Sequence, residues 1–254
     1  MAVVLKVILF FLIAYAFSWV GYILNYLSPG SGFSSMNPFG PILAAPLTLW
    51  LTEGGAGVKA WWARIWRFKA PIWVYFCAIF VTAAIIASST AMTMALSGDR
   101  PLPEELAQFP NALIAFPIIT IVFGPFGEEP GFRGHGQFSL EKVMTPLTAS
   151  LWIGIGVVIW HAPLFIAGEL PYQLGVCIVA VSVVYAWLFR AGGSVWPLIL
   201  LHGMINTFNG NYVKEWMTPE DSNIELYFLT GFFILWAVLI VWRNGASLGR
   251  AREQ

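Results

Sequence analysis

The chain has 254 residues, 58% of them apolar and only 10% charged, with a mean hydropathy of +0.74, 13 Trp and 20 Phe. Ordinary soluble domains are about half apolar and about a quarter charged, so a solvated domain and a disordered chain are both excluded. Thirteen Lys and Arg balance thirteen Asp and Glu, which leaves no net charge to hold a polyanion and excludes nucleic acid as a partner.

What remains is a polytopic membrane protein, with membrane lipids as its surroundings. A hydrocarbon core of about 30 Å needs about twenty apolar helical residues. The first run, 7–27, follows Lys6. Its Ala14-Tyr15-Ala16 faintly resembles a cleavage site, but the run continues to Leu27 without a polar break and reads as a retained span. A shorter run at 38–52 comes next. The stretch 59–69, KAWWARIWRFK, is too basic to cross, and its alternation of Trp and Ile with Lys59, Arg64, Arg67 and Lys69 suits a helix lying in the headgroup layer. Further runs follow at 71–96, 111–129 (extending to about 140), 147–168, 172–190, 195–211 and 225–243. Cys77 and Cys177 sit inside such runs, without the spacing of a disulfide framework or metal knuckle, and read as core or lipid-facing thiols. The expectation is an all-α, single membrane-embedded domain over 1–254, with about eight transmembrane helices, an intramembrane catalytic core over 111–211 and one basic interfacial helix.

Loop charge orients these spans. With 53–70 in the cytoplasm, alternation puts Lys6, Lys59, Arg64, Arg67, Lys69, Arg133, Lys142, Arg190, Arg243, Arg250 and Arg252 inside, and only Arg100 and Lys214 outside. Eleven against two is a strong positive-inside bias, with both termini cytoplasmic in a cell membrane. The acids Asp99, Glu104, Glu105, Glu169, Glu215, Glu220, Asp221 and Glu225 fall outside.

Charge within the bilayer is costly, roughly 2.5–3.5 kcal/mol per group on insertion scales, so the polar residues inside the runs carry the information. The run GEEPGFRGHGQ, 127–137, contains Glu129 and Arg133 four residues apart on one face, suited to an intrahelical ion pair. Glu128 is rotated about 100° from Glu129 and is free to face something else. Pro130 should kink this helix. The fifth run carries a lone His161, and the seventh carries His202 and Asn206 on one face. If the fourth helix continues past Pro130 to about Leu140, Glu128 lies ~18 Å deep, near His161 at ~21 Å and His202 at ~10 Å, all at 1.5 Å per residue. One acid, two imidazoles and an amide are the parts of a water-activating hydrolytic site. They are also the parts of a mononuclear metal site on Glu128, His161 and His202.

The order Glu-Glu-x-x-x-Arg, a lone His on the next span, and His-x-x-x-Asn two spans later resembles the CPBP (ABI) intramembrane proteases, the family of CAAX prenyl endopeptidases and bacteriocin-processing or immunity proteins. EEPGFRG followed by WHAPLF looks like a prokaryotic branch. The resemblance implies an eight-helix endopeptidase acting on a peptide or protein substrate at the cytoplasmic side of the membrane. Glu128 would be the base that activates water, with His161 beside it. Glu129 and Arg133 would position the motif, and His202 and Asn206 would stabilise the oxyanion. The resemblance leaves the metal open; one carboxylate, two imidazoles and an amide offer few strong anionic ligands, which favours a metal-free glutamate protease with no cofactor over zinc held by Glu128, His161 and His202. The family usually carries Phe four residues before the His of the second motif, where this chain has Val157, a packing change. His135, just after the first motif, reads as an interfacial residue. Two other functions compete: a non-catalytic scaffold or immunity-type protein of the same fold, and a proton-coupled transporter, which the lack of an internal repeat disfavours.

Overall fold

The structure is a computed structural model that describes residues 2–30, 32, 36–98 and 100–249. Asp99, Arg250 and Arg252, used above to orient the spans, lie outside the described residues. Every other residue named above falls within them.

The chain is all-helical, and each apolar run falls on a helix. The first run divides into α1 (Val3–Ser18) and α2 (Val20–Leu27), bent by 46°. Then come α3 (Gly40–Ile65), α4 (Ile72–Ser97), α5 (Phe109–Val122), α6 (Pro125–Leu140), α7 (Pro146–Trp160), α8 (Leu174–Gly192), α9 (Trp196–Met204) and α10 (Pro219–Asn244). Starts and stops follow local chemistry. Proline stands in the first turn of α3, α5, α6, α7, α9 and α10, where its missing N–H costs no helical bond. Thr145 and Thr218 cap α7 and α10, their hydroxyls accepting from the amides of Thr148 and Asp221. Gly98 and Gly193 end α4 and α8 in the left-handed conformation.

Three helices, α4, α8 and α10, are long and apolar enough to cross a membrane, and counting the bent pairs α1–α2 and α5–α6 as single spans makes five. Large apolar side chains such as Leu12, Trp50, Ile114, Ile121, Val238 and Trp242 stand exposed on the outer faces, as lipid-facing surface requires. The interior holds Phe10, Phe132, Trp160, Phe189 and Phe233. This is a helical membrane protein.

Three expectations change. The basic stretch is not a separate element: residues 59–65 form the second arm of α3, beyond a non-helical Gly54 (φ 70°). That arm turns Trp61 and Ile65 inward and leaves Trp62 and Trp66 exposed. The fourth run does continue to Leu140, but its 42° break lies at Gly124 (φ 131°), ahead of Pro125, and not at Pro130. Pro130 is carried inside the helix, which then widens into the π-helical segment Phe132–Gln137. Glu225, counted among the outer loop acids, is fully buried on α10.

Candidate active site

Two close backbone approaches set the site's first wall. A Cβ on Gly127 would lie 2.6 Å from the Pro38 carbonyl, and one on Gly131 2.5 Å from the Pro41 carbonyl. This Gly-x-x-x-Gly face lets α6 press against the start of α3, as small residues do between membrane helices. Trp61 Nε1 donates to the Pro130 carbonyl at 3.0 Å, and Arg64 Nη1 to the Gly134 carbonyl at 2.8 Å. Together these contacts pin α6 with Glu128 and Glu129 both buried.

The two neighbouring glutamates then part company. Arg133 Nη1 lies 3.2 Å from Oε1 and 3.1 Å from Oε2 of Glu129, and Arg133 Nη2 donates to Ser182 Oγ on α8 at 2.9 Å. The guanidinium also sits 4.4 Å over the Tyr185 ring. Glu129 takes a second partner, His202 on α9, whose Nδ1 donates to Oε1 at 2.9 Å. Its charge is thereby matched by a buried cation and an imidazole, as a fully buried carboxylate requires. The Glu128 carboxylate, by contrast, accepts no hydrogen bond among the described residues. Gly124 lies between its carboxylate and the Asn206 amide: a Cβ there would be 2.8 Å from Glu128 Oε1 and 3.5 Å from Asn206 Nδ2. Glu128 and His202 lie within charge–charge reach of each other.

His161 is placed by α1. Pro163 lacks an N–H, so α7 stops at Trp160 and the chain turns into the short helix Ala162–Ile166. The amide of Leu164 bonds to His161, which leaves the Trp160 carbonyl without a helical partner. Trp19 Nε1 supplies one at 2.9 Å, Tyr15 Oη donates to the Gly156 carbonyl at 2.8 Å, and Trp160 Nε1 donates to Ser18 Oγ at 2.8 Å. His161 Nδ1 lies 2.9 Å from the Val157 carbonyl. A carbonyl only accepts, so Nδ1 carries the proton and Nε2 of the neutral ring is the free acceptor. The same logic applies at His202, where a carboxylate accepts from Nδ1. His161 and His202 lie within charge–charge reach, and no hydrogen bond joins Glu128 to His161.

All six residues singled out from the sequence therefore gather around the junction of α6, α7 and α9. His135 does not. It is buried against α1, edge-on to Phe10 with ring centroids 5.1 Å apart. Among the described residues no group of three or more His, Cys, Asp or Glu side chains is placed to hold a metal ion. Ser182, Tyr185, Trp19 and Tyr15 were not anticipated. Ser182, a small polar residue within the apolar run 172–190, was the one carrying a usable signal.

The all-helical membrane fold thus brings two buried carboxylates, two half-buried imidazoles and an amide to one region between its helices. Residues 110–208 match the family model described as type II CAAX prenyl endopeptidase, Rce1-like, the CAAX protease family that the three motifs resemble. The matched segment contains Glu128, Glu129, Arg133, His161, His202 and Asn206, and the match points to a membrane protease. No curated protein matches the chain.

Proposed function

We propose that this chain is an intramembrane endopeptidase in which Glu128 activates water. The observation that carries the reading is the division of labour between two adjacent acids: Glu129 is engaged by Arg133 and His202, whereas Glu128 keeps its oxygens for another partner. In this reading a water sits between the Glu128 carboxylate and the free Nε2 of His161. Glu128 takes its proton, the oxygen attacks the peptide carbonyl, and the C–N bond then breaks as Glu128 returns the proton to the leaving amine. The oxyanion needs donors. Asn206 Nδ2 is one. His202 becomes the other only as an imidazolium, because its Nδ1 proton already belongs to Glu129 and Nε2 must carry a second. Glu129 is then the counter-ion that sustains that state.

Around this centre the chain makes eight passes of a prokaryotic cell membrane, with both termini cytoplasmic and the second arm of α3 in the headgroup layer; the loop charges support this orientation. The substrate is a peptide or protein cut near the cytoplasmic surface. Water attack needs no cofactor in this scheme.

The test compares wild type with Glu128→Gln, purified in detergent, against a quenched peptide library with and without a zinc chelator. The expected result is cleavage by wild type alone, unaffected by chelation. Equal cleavage by the variant overturns the role of Glu128. Loss on chelation with recovery on zinc overturns the metal-free scheme. No cleavage by folded wild type favours the scaffold.

A further inference from the structure

A second buried polar cluster lies outside the site. Glu225 on α10 is fully buried, facing Ser89 on α4, which is equally buried. Asn209, within the π-helical continuation of α9, Ile205–Val213, packs against the same carboxyl group. Asn209 Nδ2 and Glu225 Oε2 are both buried without a hydrogen-bond partner, so a small shift would join them.

Two states satisfy the count of protons here, a carboxylate that accepts from Ser89 and an acid that donates to it, and burial between membrane helices favours the acid. Ser89 Oγ lies 2.9 Å from the Ile86 carbonyl and 2.5 Å from Glu225 Oε1. A hydroxyl has one proton, and a backbone carbonyl can only accept. If the Ser89 proton goes to Ile86, the contact with Glu225 needs a proton from Glu225 itself. A carboxylic acid supplies it: its O–H donates to Ser89 Oγ, and its other oxygen stands ready to accept from Asn209. Uncharged, the group also avoids the cost of a bare carboxylate between membrane helices. Around it stand the Cys177 thiol from α8, Asp221 one turn earlier on α10, and Lys214, a cation within reach that favours the charged form.

We infer that Ser89, Asn209 and Glu225 form an intramembrane cluster that binds a proton on Glu225 and ties α4 and α10 to the segment carrying Asn206. Glu225 is thereby a positioning residue for the oxyanion donor three residues upstream of Asn209, an assignment that rests on the hydrolase reading. Deprotonation would turn the Ser89 hydroxyl round to donate to the carboxylate and leave a charge buried between the helices.

Two measurements test this on the full chain in detergent. The infrared difference between wild type and Glu225→Gln should contain a carboxylic-acid C=O band near neutral pH; a carboxylate band in its place overturns the bound proton. In peptide cleavage, Glu225→Gln can donate to Ser89 and accept from Asn209, and should keep kcat within about twofold. Glu225→Leu should lower kcat about tenfold at unchanged KM, the scale expected for a small misplacement of a reacting group. A leucine variant with wild-type kcat, or a glutamine variant as impaired as leucine, overturns the positioning role. If folded wild type cleaves nothing, the hydrolase reading and the positioning role fall together, and the infrared band still decides the proton site.

Discussion

Glu129 Oε1 lies 2.9 Å from Nδ1 of His202, 73 residues further along the chain, while the carboxylate of Glu128 next to it accepts no hydrogen bond among the described residues. The pair joins the first motif to the third. In the proposed mechanism the two adjacent acids have different tasks: one holds buried partners, the other stays available.

Removing one member of a buried ion pair leaves the other charged and uncompensated, at a cost of about 3–5 kcal/mol. Glu129→Ala should therefore unfold at markedly lower temperature, with Arg133 left unpaired. Glu129→Ala combined with Arg133→Met should regain most of that stability and yet stay inactive, because His202 still lacks its counter-ion. Thermal unfolding and cleavage measured on the same preparations separate the two effects. A double variant with wild-type turnover would remove Glu129 from the positioning of His202.

Asn206→Ala should reduce kcat by about 10²–10³, the usual loss of one oxyanion donor, with little change in KM. His202→Ala should fall at least as far. If both serve one oxyanion, the double variant should lose less than the product of the two single losses. Strictly multiplicative losses would assign them to separate tasks.

The reach of sequence reasoning can be judged residue by residue. Apolar runs were legible because membrane spans are specified locally, and so was the Glu129–Arg133 pair, fixed by helical spacing. The Glu129–His202 bond was not, since it depends on how α6 and α9 cross. His135 is seven residues from Glu128 and would share its face on a regular α-helix. The π-helical turns of Phe132–Gln137 rotate it away from that face, toward Phe10 on α1. Glu225 misled because an acid near the end of a span reads as a topological marker unless its partner, Ser89, is known.

His161 depends on α1, so substitutions far from the motifs should be felt there. Trp19→Phe keeps the ring but leaves the Trp160 carbonyl unpaired, which costs about 1–3 kcal/mol for a buried acceptor. Tyr15→Phe removes a second bond at the Gly156 carbonyl, which keeps its helical partner within α7, and should cost less, about 0.5–1.5 kcal/mol. Both variants should melt lower and lose kcat more than binding, as His161 drifts. Unchanged kinetics in a destabilised Trp19→Phe would make α1 a purely structural brace.

At the other end of α1, Lys6 Nζ donates to Glu53 Oε1 at 2.9 Å. That bond holds the Glu53 carboxyl below its ordinary value of 4.5. A lowered carboxyl contributes stability above its ordinary pKa that is lost as pH falls through the lowered folded value. Glu53 is partly exposed, so the contribution is under about 1 kcal/mol. Glu53→Gln should flatten the stability profile only below about pH 4.5 and leave neutral stability nearly unchanged. A profile as steep as wild type in that range would show that the bridge contributes nothing.

Gly124 carries the sharpest single-atom prediction. Its φ of 131° is open to glycine and strained for any side chain, at about 1–3 kcal/mol. The added methyl of Gly124→Ala would also come 2.8 Å from Glu128 Oε1 and 3.5 Å from Asn206 Nδ2, between the base and the oxyanion donor. A carboxylate can swing away, so the protein should fold with only a modest fall in melting temperature. Glu128, however, would be turned from its place, and kcat should drop by up to about 10²-fold, as for a misplaced reacting group. The control is Gly231→Ala on α10, where the methyl meets open space and neither stability nor turnover should change. If Gly124→Ala cleaves peptide like wild type, Glu128 does not act from the position next to Asn206.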